Sequence, residues 1–87
     1  MSGPGKLVFP AEFPIKVMGR HDGALRARSR AIIERHAGPL HDHQIRDRPS
    51  SAANFISITY VIQATSQDQL DAIYRELTAC EAVLMAL

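Results

Sequence analysis

The sequence predicts an α+β sandwich of βαββαβ order, a four-stranded antiparallel sheet with two helices on one face. Three observations predict it. First, residues 54–65 alternate as a strand: Ile56, Ile58, Tyr60, Ile62 and Ala64 share one side, and Phe55, Ser57, Thr59, Val61 and Gln63 the other. Second, two segments of helical period, Ala24–Ala37 and the stretch after Ser66, each lie between strand-like segments. Third, the resulting order is strand, helix, strand, twice over. Right-handed crossovers then place both helices on the same side of one sheet.

Residues 1–12 read as an N-terminal arm broken by Gly3, Pro4, Gly5 and Pro10 and docking through Leu7, Val8 and Phe9. Residues 13–87 form the single domain. Gly5-Lys6 lacks the earlier glycine, the following hydroxyl residue and the preceding strand of a phosphate loop. Phe13–Met18 is the first strand, with Phe13, Ile15 and Val17 inward. Gly19 ends it, and Arg20–Gly23 turn the chain. Asp22 is the expected N-cap of the first helix, whose inner side carries Leu25, Ser29, Ile32, Ile33 and His36. Gly38-Pro39 stops that helix.

His41–Arg48 is expected as a charged edge strand, and residues 49–53 as a hairpin connection to the central strand. Ser66 opens the second helix with a capping box, Gln69 reaching back to the Ser66 backbone. Leu70, Ile73, Tyr74, Leu77 and Cys80 form its apolar stripe. Ala82–Leu87 is the last strand, with Val83, Met85 and Leu87 inward. Phe13–Met18 and the 54–65 strand take the centre of the sheet, and the other two take its edges. This is a ferredoxin-like arrangement, which hosts many functions and settles none.

Composition narrows the classes. Eighty-seven residues make one domain, and 46% hydrophobic content suffices for one core layer. The net charge of +1 gives no global attraction for nucleic acid. The lone Cys80 cannot form an intrachain disulfide, which fits a reducing compartment. There is no apolar run of signal-peptide or membrane-spanning length. The expectation is a cytoplasmic protein without membrane or nucleic-acid partners.

Residues that invite chemistry have plainer explanations. His41 and His43 would share one strand face near His36, but no carboxylate or thiolate completes a metal set. The arginines of the first helix, with Arg20, Arg46 and Arg48, read as a solvated face balanced by Asp22 and Glu34. RNA binding would need more than Phe55 on the open sheet face. Ser50 and Ser51 lack an evident base, and Cys80 on an apolar stripe is structural. No catalytic residue, metal site or cofactor is expected. What stays unexplained is the semi-apolar open face, with Met18, Val61, Leu84, Ala86 and Phe55.

Several pieces in order carry a resemblance: Phe9-Pro10, Phe13, Lys16-Val17-Met18-Gly19, Arg35-His36-Ala37, Pro49-Ser50-Ser51, Asn54, Ser57, Ala64-Thr65, Gln69, Tyr74, Glu76-Leu77, Val83, Met85 and Leu87. Together, from residue 9 to the C-terminus, the chain resembles the YbeD family of small bacterial proteins. It departs from the family pattern at Arg26, Ser29 and Arg30, at Leu84 where a basic residue is common, and at Ala52-Ala53. The resemblance implies a fold similar to ACT-type regulatory domains, a weak link to lipoate metabolism, and no catalytic residues.

The expected function is therefore a non-catalytic regulatory module. It would bind a small effector at the turn after the first strand (Gly19, Arg20, His21) or a partner enzyme through Met18, Val61 and Leu84. Self-association through the open face or the last edge strand is a further expectation. The alternative is a pure protein–protein adaptor working through the open sheet face without a ligand.

Overall fold

The computed structural model describes residues 8–50 and 54–87. Among these residues the elements run β1 (Ala11–Arg20), α1 (Ala24–Ala37), β2 (Ile45–Pro49), β3 (Phe55–Ala64), α2 (Gln67–Ala79) and β4 (Met85–Ala86). The strands form one antiparallel sheet in the order β2-β3-β1-β4, the ferredoxin-like arrangement. β1 and β3 pair along their whole length, from Ala11 opposite Ala64 to Arg20 opposite Phe55. β1 therefore starts at Ala11, inside the segment expected as an arm, and runs on through Gly19 to Arg20.

The alternation decides the core. Ile15 and Val17 of β1 and Ile56, Ile58, Tyr60, Ile62 and Ala64 of β3 are buried on the face covered by both helices. Leu25, Ile32 and Ile33 of α1 and Leu70, Ile73 and Leu77 of α2 meet them. Burying each large side chain contributes a gross ~1.5–3 kcal/mol, which chain entropy largely offsets. One polar residue is enclosed with them. Ser29 Oγ donates to the Leu25 carbonyl at 2.6 Å and lies 2.7 Å from the Tyr60 hydroxyl. Desolvation raises the Tyr60 pKa, so the phenol stays neutral and serves as a core hydrogen-bonding group.

Four local expectations are corrected. His41–Gln44 is not strand. Asp42–Gln44 forms a 3-10 turn, because the Gln44 side chain accepts from His41 N–H at 2.9 Å and donates to the Val61 carbonyl at 2.9 Å. The His41 and His43 rings stack on this turn instead of projecting from a sheet. The N-cap of α1 is Gly23, in a left-handed conformation at φ 89°, while Asp22 Oδ1 accepts from Ala24 N–H at 3.1 Å. At α2, Ser66 Oγ accepts from Gln69 N–H as expected, but the Gln69 side chain accepts from Thr65 N–H, one residue earlier than the box requires.

The fourth correction concerns β4. Met85 is the register partner of Met18, yet Leu84 N–H also donates to the Met18 carbonyl at 2.8 Å. Two residues thus address one, which is a bulge, and the alternation reverses across it. Val83 is buried as expected. Beyond the bulge, Ala86 packs against the core, while Met85 and Leu87 face outward.

The two helices are clamped to each other by the residues that carry the family resemblance. Glu76 of α2 takes both Arg35 and His36 of α1. Gln69 Nε2 donates to the His36 carbonyl at 2.9 Å, and Tyr74 donates to the Leu87 carbonyl at 2.7 Å. The hydrogen bond from His36, then that from Arg35, holds the Glu76 carboxyl below its ordinary value. A carboxyl whose pKa is lowered by folding contributes stability above its unfolded value of about 4.5 and loses it as pH falls through the folded one. Glu76→Gln should therefore melt earlier than the unmodified chain at pH 7. The difference should close in acid below the lowered pKa, where both side chains are neutral. Thermal melts across that range check it, and a difference that persists at the acid end contradicts it.

Candidate functional site

Two surfaces were expected to matter, and the fold separates them. The first is the turn between β1 and α1. Arg20 and His21 are exposed there. Arg20 borders two depressions. One, of about 220 Å³, adds Asp22, Ala24, Arg28, Glu81, Ala82 and Leu84. The other, of about 290 Å³, runs under His21 and Gly23 toward Leu25 and Arg26. Both are open; the first mixes charges of both signs, and the second carries Arg20 and Arg26 with no acidic residue in its lining. Gly19, expected to touch an effector, is buried: the position a Cβ would take lies 2.3 Å from the Ala82 carbonyl oxygen. Its smoothness admits the α2–β4 connection and not a ligand.

The second surface is the face of the sheet away from the helices. Pairing arranges it in rows across the strands. One row reads Arg48, Ser57, Met18, Met85. The next reads Arg46, Thr59, Lys16 and, through two backbone hydrogen bonds at 2.8 and 3.0 Å, Leu87. A third pairs Val61 with Pro14, and a fourth Gln63 with Glu12. Phe55, opposite Arg20, closes the near end.

The three residues expected as one apolar patch are therefore dispersed. Met18, 36% exposed, groups with Phe55 at 40% and Met85 at 50%. Val61 is half-buried and lies two rows away, with Lys16 and Thr59 between. Leu84 is exposed at the bulge and borders the depression at the β1–α1 turn instead of joining Val61. Phe55 and Met18 line a shallow, almost wholly apolar depression of about 130 Å³ with Arg48, Pro49, Ser50 and Ser57. The bulge leaves no mark in the sequence, so plain alternation puts Met85 on the inner face, and the register, which one strand does not show, is what makes Lys16, Arg46 and Arg48 neighbours on the open one.

The alternative to association through this face is that the N-terminal arm folds back over it, with Phe9 as the plug. Phe9 packs against the core, so it is no plug for the open face; residues 1–7 lie outside the described residues. The β4 edge also differs from expectation. The run Ala82–Leu87 has no charge or proline to discourage strand addition, but β4 pairs over two residues and carries the bulge, and both blunt an edge. No helix among the described residues is long and apolar enough to cross a membrane.

Comparison with known proteins places these observations in a family. The family described as "Protein of unknown function (DUF493)" matches residues 5–87. A UPF0250 protein of Ralstonia nicotianae is 37% identical over 79 residues, covering 91% of this chain and 81% of that relative. A UPF0250 protein of Janthinobacterium is 42% identical over 72 residues, 82% of this chain and 78% of its own length. One from Neisseria gonorrhoeae is 38% identical over 79 residues, 91% of this chain and 87% of its own.

Proposed function

The chain belongs to the DUF493 (YbeD) family, and we propose that it is a non-catalytic regulatory module that works by docking its open sheet face onto a partner enzyme in the cytoplasm. One observation carries the proposal: Met18 and Phe55 lie exposed around a shallow apolar depression on a sheet face that neither helix covers, with the exposed Met85 beside Met18 on the next strand. A sheet wet on one side ordinarily shows polar residues there. The family resemblance favours the same class, since the motif residues Arg35, His36, Gln69, Tyr74 and Glu76 are accounted for by holding the helices and the C-terminal strand together. They supply scaffold, which leaves the surface to supply function.

A second reading has its own observation. Arg20 and His21 overlook two depressions at the β1–α1 turn, of a size for a small charged effector. The two readings separate experimentally. Affinity capture with the whole chain and with Phe55→Ser should differ in the enzymes retained, and a retained enzyme should change its rate when the purified chain is added. A thermal-shift screen against amino acids and lipoyl or octanoyl compounds tests the effector. A ligand at a hundred times its Kd adds about 2.7 kcal/mol of stability. Identical captures with Phe55→Ser and no effect on any captured enzyme would reject docking through this face.

A further inference from the structure

We propose, building on the docking reading above, that the partner presents an acidic extended segment carrying an apolar side chain, which lies along β2 on the open face. The charges argue for it. Lys16, Arg46 and Arg48 are exposed on that face against one carboxylate, Glu12, at its far end. None of the three makes an ion pair among the described residues. The pairs found there, Arg26–Asp47, Arg30–Glu34, Arg35–Glu76 and His36–Glu76, all involve the helix side.

Asp47 is the telling residue. It lies between Arg46 and Arg48 in sequence and would screen both, but strand alternation sends its carboxylate through to Arg26 of α1. The open face is left basic although the chain as a whole carries only +1.

The spacing selects the segment. Arg46 and Arg48 stand two residues apart on one strand, about 7 Å, which is the separation of carboxylates at i and i+2 of an extended peptide. Lys16 lies two strands over, about 10 Å from Arg46. The residue of that peptide two positions beyond the Arg48 contact, at i+4 and so on the same side as the two carboxylates, reaches the depression lined by Met18 and Phe55, which takes an apolar side chain. A second copy of this chain fits poorly, because a two-fold contact sets each basic face against its twin. Single-stranded nucleic acid would bring suitable charge, but the face offers one aromatic, Phe55, at its edge, where stacking of successive bases needs several.

Fluorescence anisotropy of the full chain with three labelled probes tests this. The probes are a pool of short peptides with acids at positions i and i+2 and an apolar residue at i+4, the same pool with each acid replaced by its amide, and a single-stranded RNA. Backbone amide shifts locate the contact. The acidic pool should bind, move the amides of Arg46, Arg48, Met18 and Phe55, and weaken several-fold as salt rises from about 0.05 to 0.3 M. Arg46→Gln with Arg48→Gln should weaken it about tenfold, while Arg28→Gln, an exposed arginine of α1, should not. Equal binding of the amide pool at the open face overturns the acidic partner and leaves the docking face standing. Shifts confined to other surfaces, or no binding by either peptide pool, overturn the acidic segment and remove the support for that face. Tighter binding of the RNA than of the acidic pool assigns the face to nucleic acid, and concentration-dependent self-association that displaces the peptides assigns it to a second copy. Either of these rejects the proposal.

Discussion

Ile58→Asp should leave the chain unfolded at room temperature, while Thr59→Asp should melt within a few degrees of the unmodified protein. The two positions are adjacent in β3, yet Ile58 is fully buried and Thr59 stands on the open face. Removing the isoleucine side chain from the core costs about 2–5 kcal/mol on the scale of large-to-small substitutions. An aspartate in its place adds a desolvated carboxylate. The nearest partners there are apolar: Val17 lies opposite on β1, and the one polar neighbour across β2, Asp47, is itself an acid. That carboxylate must lose its charge or draw water into the core, for several kcal/mol more. A domain of this size has about 5 kcal/mol or somewhat more to lose. At Thr59 the balance differs in sign. Its register partners are Lys16 and Arg46, so a carboxylate gains two cationic neighbours in exposed positions, for up to about 1 kcal/mol. Circular dichroism melts of both variants decide it. Equal destabilisation would mean that β3 faces the other way.

That contrast marks how far the sequence could be read. Period-two alternation in residues 54–65 identified both the strand and its buried side, because a side-chain pattern of ten residues is self-consistent only in one phase. The stripe in α2 and the inner side of α1 were legible for the same reason, with Leu70, Ile73 and Leu77 and Leu25, Ser29, Ile32 and Ile33 all buried. Which strand residues stand opposite each other was not legible. Register is a property of two strands together, so the link from Ser29 to Tyr60, the passage of Asp47 to Arg26 and the row of Arg46, Thr59 and Lys16 could not be assembled from one chain read in order. β4 fails for a different reason. Ala-Val-Leu-Met-Ala-Leu is apolar at every position, so its alternation has no contrast, and a bulge that flips the facing leaves no mark in such a run. The 3-10 turn at Asp42–Gln44 depends on Gln44 reaching the Val61 carbonyl, a contact set by tertiary structure.

Gly19→Ala should lower the melting temperature by roughly 10–20 °C, more than Gly23→Ala does, although the second glycine is the one with a positive φ. At Gly23 the backbone is left-handed at φ 89° with open space around the missing side chain, so alanine there meets only torsional strain, on the order of 1 kcal/mol. At Gly19 the backbone lies within β1 and suits alanine, which would even gain a few tenths of a kcal/mol from a stiffer unfolded chain. Space decides the outcome. The added Cβ would come within 2.3 Å of the Ala82 carbonyl oxygen and 3.1 Å of a Leu25 methyl. The leucine can rotate, but the carbonyl belongs to the backbone and can move only if the α2–β4 connection moves with it. Overpacking of this kind costs about 1–3 kcal/mol, and in a domain of this size each kcal/mol shifts the midpoint by about 4–8 °C. The displacement also has a direction. Ala82 precedes Val83, which seals the end of the core, and the bulge by which Leu84 and Met85 hold Met18. Hydrogen exchange in Gly19→Ala should therefore accelerate at Leu84 and Leu87, whose amides bond to β1, and hardly change along the β2–β3 pairing. Peptide binding along Arg46 and Arg48 should accordingly survive in whatever fraction remains folded. A Gly19→Ala chain that melts with the unmodified protein would show that the close approach of Ala82 is not what requires glycine there.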